Sequence, residues 1–278
     1  MWGSSRHALQ RAKPPLVIAL HCSGGSPRQW RRLRDRLTED THTFVAPGLY
    51  GAIDGAIWSG ARAFRLVDET EPILGMIDAH DGPVHLVGHS YGGAVALRAA
   101  ADRRDRIASL SLFEPSAFHM LPRMGGSAQD AFVEIVTLAD DVRDGLVSGG
   151  YQAAAERFVD YWNGAGAWAG QRQDVQSELA RYVPKAYLDF NALINETTTL
   201  DSYRSFAFPV LLMRGSEGPE PTRLIARRLA ELAPEGRYIE LQGAGHMGPL
   251  THGDAVADLI ARNVAQGERM RPPHQTAA

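Results

Sequence analysis

Ser90 stands at the apex of Gly88–His89–Ser90–Tyr91–Gly92, a G-x-S-x-G pentapeptide between the apolar run Val84–Val87 and the small-residue stretch Ala94–Leu97. These residues predict a strand, a tight turn and a helix. Such a turn holds a serine hydroxyl above the end of a strand, exposed for attack on a carbonyl. Gly88 and Gly92 flank the serine where any Cβ would collide across the turn.

A serine hydroxyl is nearly inert at neutral pH. It needs a general base within hydrogen-bond reach and a third group to orient that base. Of the ten histidines, His246 fits best. It lies in Leu241–Gln242–Gly243–Ala244–Gly245–His246–Met247–Gly248–Pro249, where glycines let the chain turn just past an apolar run. His85 falls inside a strand and reads as structural. His89, in the elbow, is expected to point away from Ser90, and His42, His80 and His252 read as loop or surface residues. For the carboxylate, Glu114 ends the apolar run Ile107–Phe113 and is fixed by Pro115. Glu217, in Gly215–Ser216–Glu217–Gly218, is the alternative.

The tetrahedral intermediate of acyl transfer carries an oxyanion that calls for backbone N–H donors. Tyr91, directly after the nucleophile, should supply one. Ser23, in His21–Cys22–Ser23–Gly24–Gly25–Ser26, is the choice for the other. That glycine-rich loop has neither the G-x-G-x-x-G spacing nor the lysine of a phosphate-binding loop. Cys22 reads as a small buried residue rather than a nucleophile. No histidine pair has metal-ligand spacing with a third candidate nearby, so no metal is assigned, and the chemistry needs no cofactor.

Short apolar strands alternating with amphipathic helices position these residues, the pattern of a parallel sheet covered on both faces. Strands are expected at Leu16–Leu20, Thr43–Ala46, Val84–Val87, Ile107–Phe113, Pro209–Arg214 and Tyr238–Leu241. Helices are expected after Ser26–Pro27 (with Trp30, Leu33 and Leu37 inward), over Phe64–Ile77, after Ser90, and over Pro221–Leu232 and Asp254–Val264. From Ser116 to about Tyr203 the alternation stops. This interval is helix-rich and aromatic, has no convincing strand, and is punctuated by Gly125–Gly126 and Gly149–Gly150. It reads as a helical lid over 116–203, inserted into a core formed by 1–115 and 204–265. Phe158, Trp162 and Trp168 are expected to shape its apolar pocket. The polar tail 266–278 is expected to be disordered.

The chain has 278 residues, 44% hydrophobic and 22% charged, which is ordinary for a globular protein able to bury one large core. A net charge of -3 argues against a nucleic-acid partner or an anionic membrane surface. The first long apolar run, Leu16–Leu20, is too short for a signal-peptide core or a membrane span. With one cysteine no internal disulfide can form, and cytoplasmic residence is the default expectation.

From about Leu16 to Val264 the chain resembles the α/β-hydrolase fold superfamily. The resemblance is carried by Leu20–His21–Cys22–Ser23, Val45–Ala46–Pro47, Gly88–His89–Ser90–Tyr91–Gly92–Gly93 and Gly243–Ala244–Gly245–His246, in the chain order serine, carboxylate, histidine. It implies an eight-stranded, mostly parallel sheet with a lid after the sixth strand. The chain departs from the pattern at Cys22 (usually Gly), at Gly48 (usually Asp) and near Gly218, where the usual acid is absent. Some relatives, including one haloalkane dehalogenase group, carry a glutamate after the sixth strand instead, and Glu114 matches that arrangement. Those dehalogenases and the epoxide hydrolases use an aspartate nucleophile, so Ser90 argues against both activities. The expected activity is hydrolysis of a small-molecule ester, lactone or related acyl substrate by Ser90, His246 and Glu114. Cleavage of carbon–carbon bonds in dienoic diketones, hydrolysis of amides, and a non-catalytic ligand-binding role are the alternatives.

Overall fold

The computed structural model describes residues 13–37 and 41–270. Six parallel strands form one sheet in the order β2-β1-β3-β4-β5-β6: β1 Leu16–Leu20, β2 Thr43–Val45, β3 Val84–His89, β4 Ile107–Phe113, β5 Val210–Gly215 and β6 Gly236–Leu241. The eight strands implied by the resemblance are not present among the described residues. β1 is the first strand among the described residues, and the residues before Lys13 lie outside that part.

The strands read as near-continuous apolar runs because the sheet is covered on both faces. Leu16, Ile18 and Leu20 of β1 join Leu86, Leu110, Leu112, Val210 and Leu212 in one cluster. It also takes in residues of α2 (Leu66–Asp78), α3 (Ser90–Asp102) and α8 (Glu220–Leu232). The intervening residues Val17, Ala19, Val87, Leu211 and Met213 form the opposite cluster. Their partners are Leu33 of α1 (Arg31–Arg36) and Val256, Ile260 and Val264 of α10 (Gly253–Met270). Each fully buried Leu, Ile or Val contributes about 1.5–3 kcal/mol. That rigid centre can carry strained residues at its strand ends.

A short helix α9 (Gly248–Thr251) precedes α10. α10 continues to Met270, so the expected disordered tail does not begin at Gln266. Its last turns stay ordered by packing: Gly267 lies so close to β4 that a Cβ there would meet the Ala108 carbonyl oxygen at 2.3 Å. Residues 271–278 lie outside the described part.

Between β4 and β5 stand a 3-10 helix, Phe118–Arg123, and four α-helices, α4 Ser127–Val147, α5 Tyr151–Asn163, α6 Gln173–Ile194 and α7 Leu200–Arg204, with no strand among them. The two glycine pairs separate elements as expected, with positive φ at Gly125, Gly126 and Gly149. No helix of the described residues is long and apolar enough to cross a membrane.

Candidate active site

The sheet reverses its direction of growth at β1, whose neighbours are β2 and β3, and the crevice at the carboxyl ends of such strands is where open parallel sheets bind ligands. Pairing of β1 with β3 sets the loop after Leu20 beside the elbow. In β3 and β4, His89 lies opposite Phe113, and in β4 and β5, Phe113 lies opposite Met213. Ser90 and Glu114 therefore leave their strands level with one another, beside Arg214 near the end of β5.

The elbow is as tight as its glycines suggest. A Cβ on Gly88 would lie 2.5 Å from the Gly92 carbonyl oxygen, and one on Gly92 would lie 2.3 Å from that of His21. Ser90 itself has φ +54°, a conformation that costs a non-glycine residue on the order of 1–3 kcal/mol.

Ser90 Oγ lies 3.0 Å from His246 Nε2, and His246 Nδ1 lies 2.6 Å from Glu114 Oε2. A carboxylate only accepts, so Nδ1 carries the proton and Nε2 accepts the hydrogen bond of the serine hydroxyl. Glu114 is fully buried. Its Oε1 accepts the Gly215 N–H (2.9 Å), and the Thr222 hydroxyl lies 3.2 Å from Oε2. Glu217, the alternative acid, is exposed at the sheet edge, with its N–H donated to the Ala244 carbonyl. The missing acid near Gly218 has a steric counterpart. A Cβ on Gly218 would fall 2.0 Å from Glu114 Oε1, so the Glu114 carboxylate fills the space of a side chain there.

His89 points away from Ser90, and its Nε2–H donates to the carbonyl of His246 at 2.8 Å, fixing the His246 backbone. Burial, and then the neighbouring His246, hold His89 well below the usual histidine range, so its ring is neutral. His85 is buried in β3 against the Ser109 hydroxyl. Cys22 is buried, and desolvation pushes its thiol up to about 12, which makes it unreactive as a thiolate.

A cavity of about 870 Å³ opens onto this site. Ser23, Tyr91, Ser90 and His246 line it, with Phe118, Phe158, Trp162, Phe190 and Leu193 as its apolar wall. Tyr91 is the second residue of α3, within the first turn, where backbone N–H groups have no intrahelical carbonyl. Trp162 stacks on the His246 ring with centroids 4.4 Å apart and planes at 29°. Trp168 differs from the expectation. It is buried but absent from the cavity wall. Its N–H is held by Asp160 Oδ1 (2.7 Å) and its carbonyl by the Gln176 amide (2.9 Å), so it serves the packing of the inserted helices.

Sequence reasoning missed Ser116. Its hydroxyl lies 3.2 Å from Ser90 Oγ and its N–H donates to the Ser90 carbonyl at 3.1 Å. The available signal was its place two residues past Glu114, in the loop that follows the strand beside the elbow. Buried Asp189, in the cavity lining, and Glu69 and Lys185 behind it were also missed.

Comparison with known proteins agrees with this fold. The model described as "Alpha/beta hydrolase family" matches residues 17–259. Lipase LipV of Mycobacterium tuberculosis (strain ATCC 25618 / H37Rv) is 31% identical over 150 residues, covering 54% of this chain and 52% of the relative. The chain thus spans about half the length of that curated relative. Among solved structures, the enol-lactonase from Burkholderia xenovorans LB400 superposes with a TM-score of 0.70 at 18% identity, covering 92% of this chain and 93% of the other. MenH from S. aureus gives 0.72 at 16% identity, covering 92% and 95%. At such identities the structural likeness speaks for the fold alone.

Proposed function

Because the chain belongs to the alpha/beta hydrolase family, and is therefore a hydrolase by kinship, we propose that it cleaves a carboxylic ester, lactone or related acyl substrate through an acyl-enzyme on Ser90. The observation that carries this reading is the continuous hydrogen-bonded line from Ser90 Oγ to His246 to buried Glu114, with links of 3.0 and 2.6 Å. In this mechanism His246 Nε2 takes the Ser90 proton as Oγ attacks the acyl carbon. The N–H groups of Tyr91 and Ser23 hold the oxyanion. Collapse expels the alcohol oxygen, which takes the proton from His246. Water, deprotonated by the same ring, then releases the acid. Glu114 keeps the imidazole in its Nδ1–H form and stabilises the cation formed at each transfer.

The wall of Phe118, Phe158, Trp162 and Phe190 suits an apolar acyl or alcohol group. Helices α4 to α7, corresponding to the interval 116–203, act in this reading as a lid over a core formed by the rest of the chain. The names of the lipase and lactonase relatives point the same way. The substrate is a small molecule. A panel of 4-nitrophenyl esters with increasing acyl length tests the proposal, together with labelling by a fluorophosphonate. Turnover that disappears in Ser90→Ala, with the label on Ser90, supports it. Full ester turnover in Ser90→Ala would remove the mechanism. Cleavage of a vinylogous diketone in preference to every ester would replace the substrate class.

A further inference from the structure

Beside the cavity lies a cluster of three buried charged side chains, Asp189 of α6 in its lining and Glu69 of α2 and Lys185 of α6 behind it. Lys185 Nζ donates to Glu69 Oε2 (3.2 Å) and to Asp189 Oδ1, joining the two carboxylates. The remaining carboxylate contacts lead to the site. Asp189 Oδ2 accepts the Ser23 hydroxyl at 2.7 Å and the Tyr182 hydroxyl at 2.7 Å. Glu69 Oε2 accepts the Tyr91 hydroxyl at 2.9 Å, and Oε1 the Tyr50 N–H at 2.8 Å. The ammonium also lies over the ring of Tyr91, 4.7 Å from its centroid.

Burying three charges is costly unless each is paired and its remaining lone pairs are satisfied. Here, besides the Tyr182 hydroxyl and the Tyr50 N–H, they are satisfied by the side chains of Ser23 and Tyr91, the two residues whose N–H groups are assigned to the oxyanion. We propose that Glu69, Lys185 and Asp189 form a positioning cluster for the oxyanion-binding site, clamping Ser23 and Tyr91 from a helix of the insertion. The inference rests on the serine-hydrolase reading above.

The backbone shows the same close seat. α6 packs so tightly on the loop after β1 that a Cβ on Gly24 would sit 3.1 Å from the Leu179 side chain. One on Gly51 would sit 2.9 Å from Lys185 Cγ. Gly24 also has φ +67°, so the loop reaches Asp189 in a shape that glycine alone adopts cheaply. Hydroxyl tethers at Ser23 and Tyr91 then fix where the two N–H groups point. The insertion in this way becomes part of the chemistry at a distance, acting through residues that touch the substrate.

Two substitutions test this. Asp189→Asn keeps the shape and removes the charge. Ser23→Ala severs the hydroxyl tether and keeps the N–H. The readouts are the rate of Ser90 phosphonylation by a fluorophosphonate, kcat and KM for 4-nitrophenyl butyrate, and inhibition by an alkylboronic acid, whose serine adduct is a tetrahedral anion. Loss of an oxyanion donor costs roughly 100- to 1,000-fold, and misplacing one should cost less. The expected losses are about 10- to 100-fold in kcat for Asp189→Asn and about 3- to 10-fold for Ser23→Ala. KM should stay within about twofold, and boronic acid affinity should fall by the same factor as kcat. A merely structural role would lower the melting temperature without that parallel. If Asp189→Asn does not fold, Ser23→Ala carries the test. A folded variant with wild-type phosphonylation, or one that loses kcat while keeping boronic acid affinity, overturns the positioning role and leaves the serine mechanism standing. A wild-type protein whose Ser90 takes no label overturns the serine mechanism, and the positioning role with it.

Discussion

Ser90 and Glu114 share a backbone conformation held by no other non-glycine residue among those described: φ is +54° at one and +43° at the other. Each is the first residue past its strand, on neighbours that run level. The sharp turn at each strand end aims both side chains at one imidazole from two sides. The combined strain is on the order of a few kcal/mol, which the packed sheet beneath offsets.

The Glu114 charge should therefore matter more than its shape. Glu114→Gln keeps the volume and removes the anion that fixes the Nδ1–H form of His246. Loss of the equivalent charge in a serine protease triad costs about 10⁴-fold in kcat. A fall of roughly 10³- to 10⁴-fold is expected here, measured as acylation rate in single turnover. A loss below tenfold would show that another group orients the ring.

Gly218 and Glu114 should behave as one unit. Gly218→Ala puts a Cβ 2.0 Å from Glu114 Oε1, and overpacking of this kind costs about 1–3 kcal/mol. In a Glu114→Ala background the same change no longer meets the carboxylate, which supplies the three nearest atoms. Urea unfolding of the two single variants and the double variant should show a favourable coupling of at least about 1 kcal/mol. Strict additivity would mean that the carboxylate has room to move aside.

Phe158 and Trp168 should separate cleanly. Phe158 is part of the cavity wall and Trp168 is not. Phe158→Ala should shift the preferred acyl length upward by about one to three carbons, since removing a phenyl group vacates several methylene volumes. Trp168→Phe should lower the melting temperature with the chain-length profile unchanged. A shifted profile in Trp168→Phe would return that residue to the substrate pocket.

Stability should fall on acidification. His119 is buried, donor or acceptor to the Tyr203 hydroxyl at 3.0 Å, and burial pushes it down to about 4. Unfolded, it takes up a proton near pH 6.5. Between these values the unfolded state binds more protons than the folded one, so stability rises with pH and is lost as pH falls from 6.5 towards 4. The gap corresponds to roughly 3 kcal/mol. Buried His89 and His21, both also lowered, act in the same direction. Urea midpoints at pH 7, 5.5 and 4 should decline, less steeply in His119→Asn. A flat profile would place a proton on these rings in the folded state.

The strands and the three residues of the hydrogen-bonded line were legible because each leaves a local mark. Ser90 has its glycines, His246 its glycine loop, and Glu114 an apolar strand before it and a proline after it. Glu69, Lys185 and Asp189 leave none. A charged residue on an amphipathic helix reads as a solvated face, and only the tertiary fold brings three such faces together. Trp168 was misread because aromatic density does not tell which rings face a void. The last turns of α10 were hidden by the polarity of 266–270, since a glycine that seats a helix on a strand looks like a glycine that ends one.

The close approach of Glu114 to Gly218 also bears on history. The space between β4 and the turn after β5 holds one side chain, so an acid at 218 and an acid at 114 are rival tenants rather than duplicates. In any lineage where the acid moved from one position to the other, volume dictates the order of events. Position 218 has to be emptied before 114 can be filled, and between the two steps the histidine stands without a carboxylate. Epistasis at this pair should therefore be strong, and a relative with carboxylates at both positions should be rare.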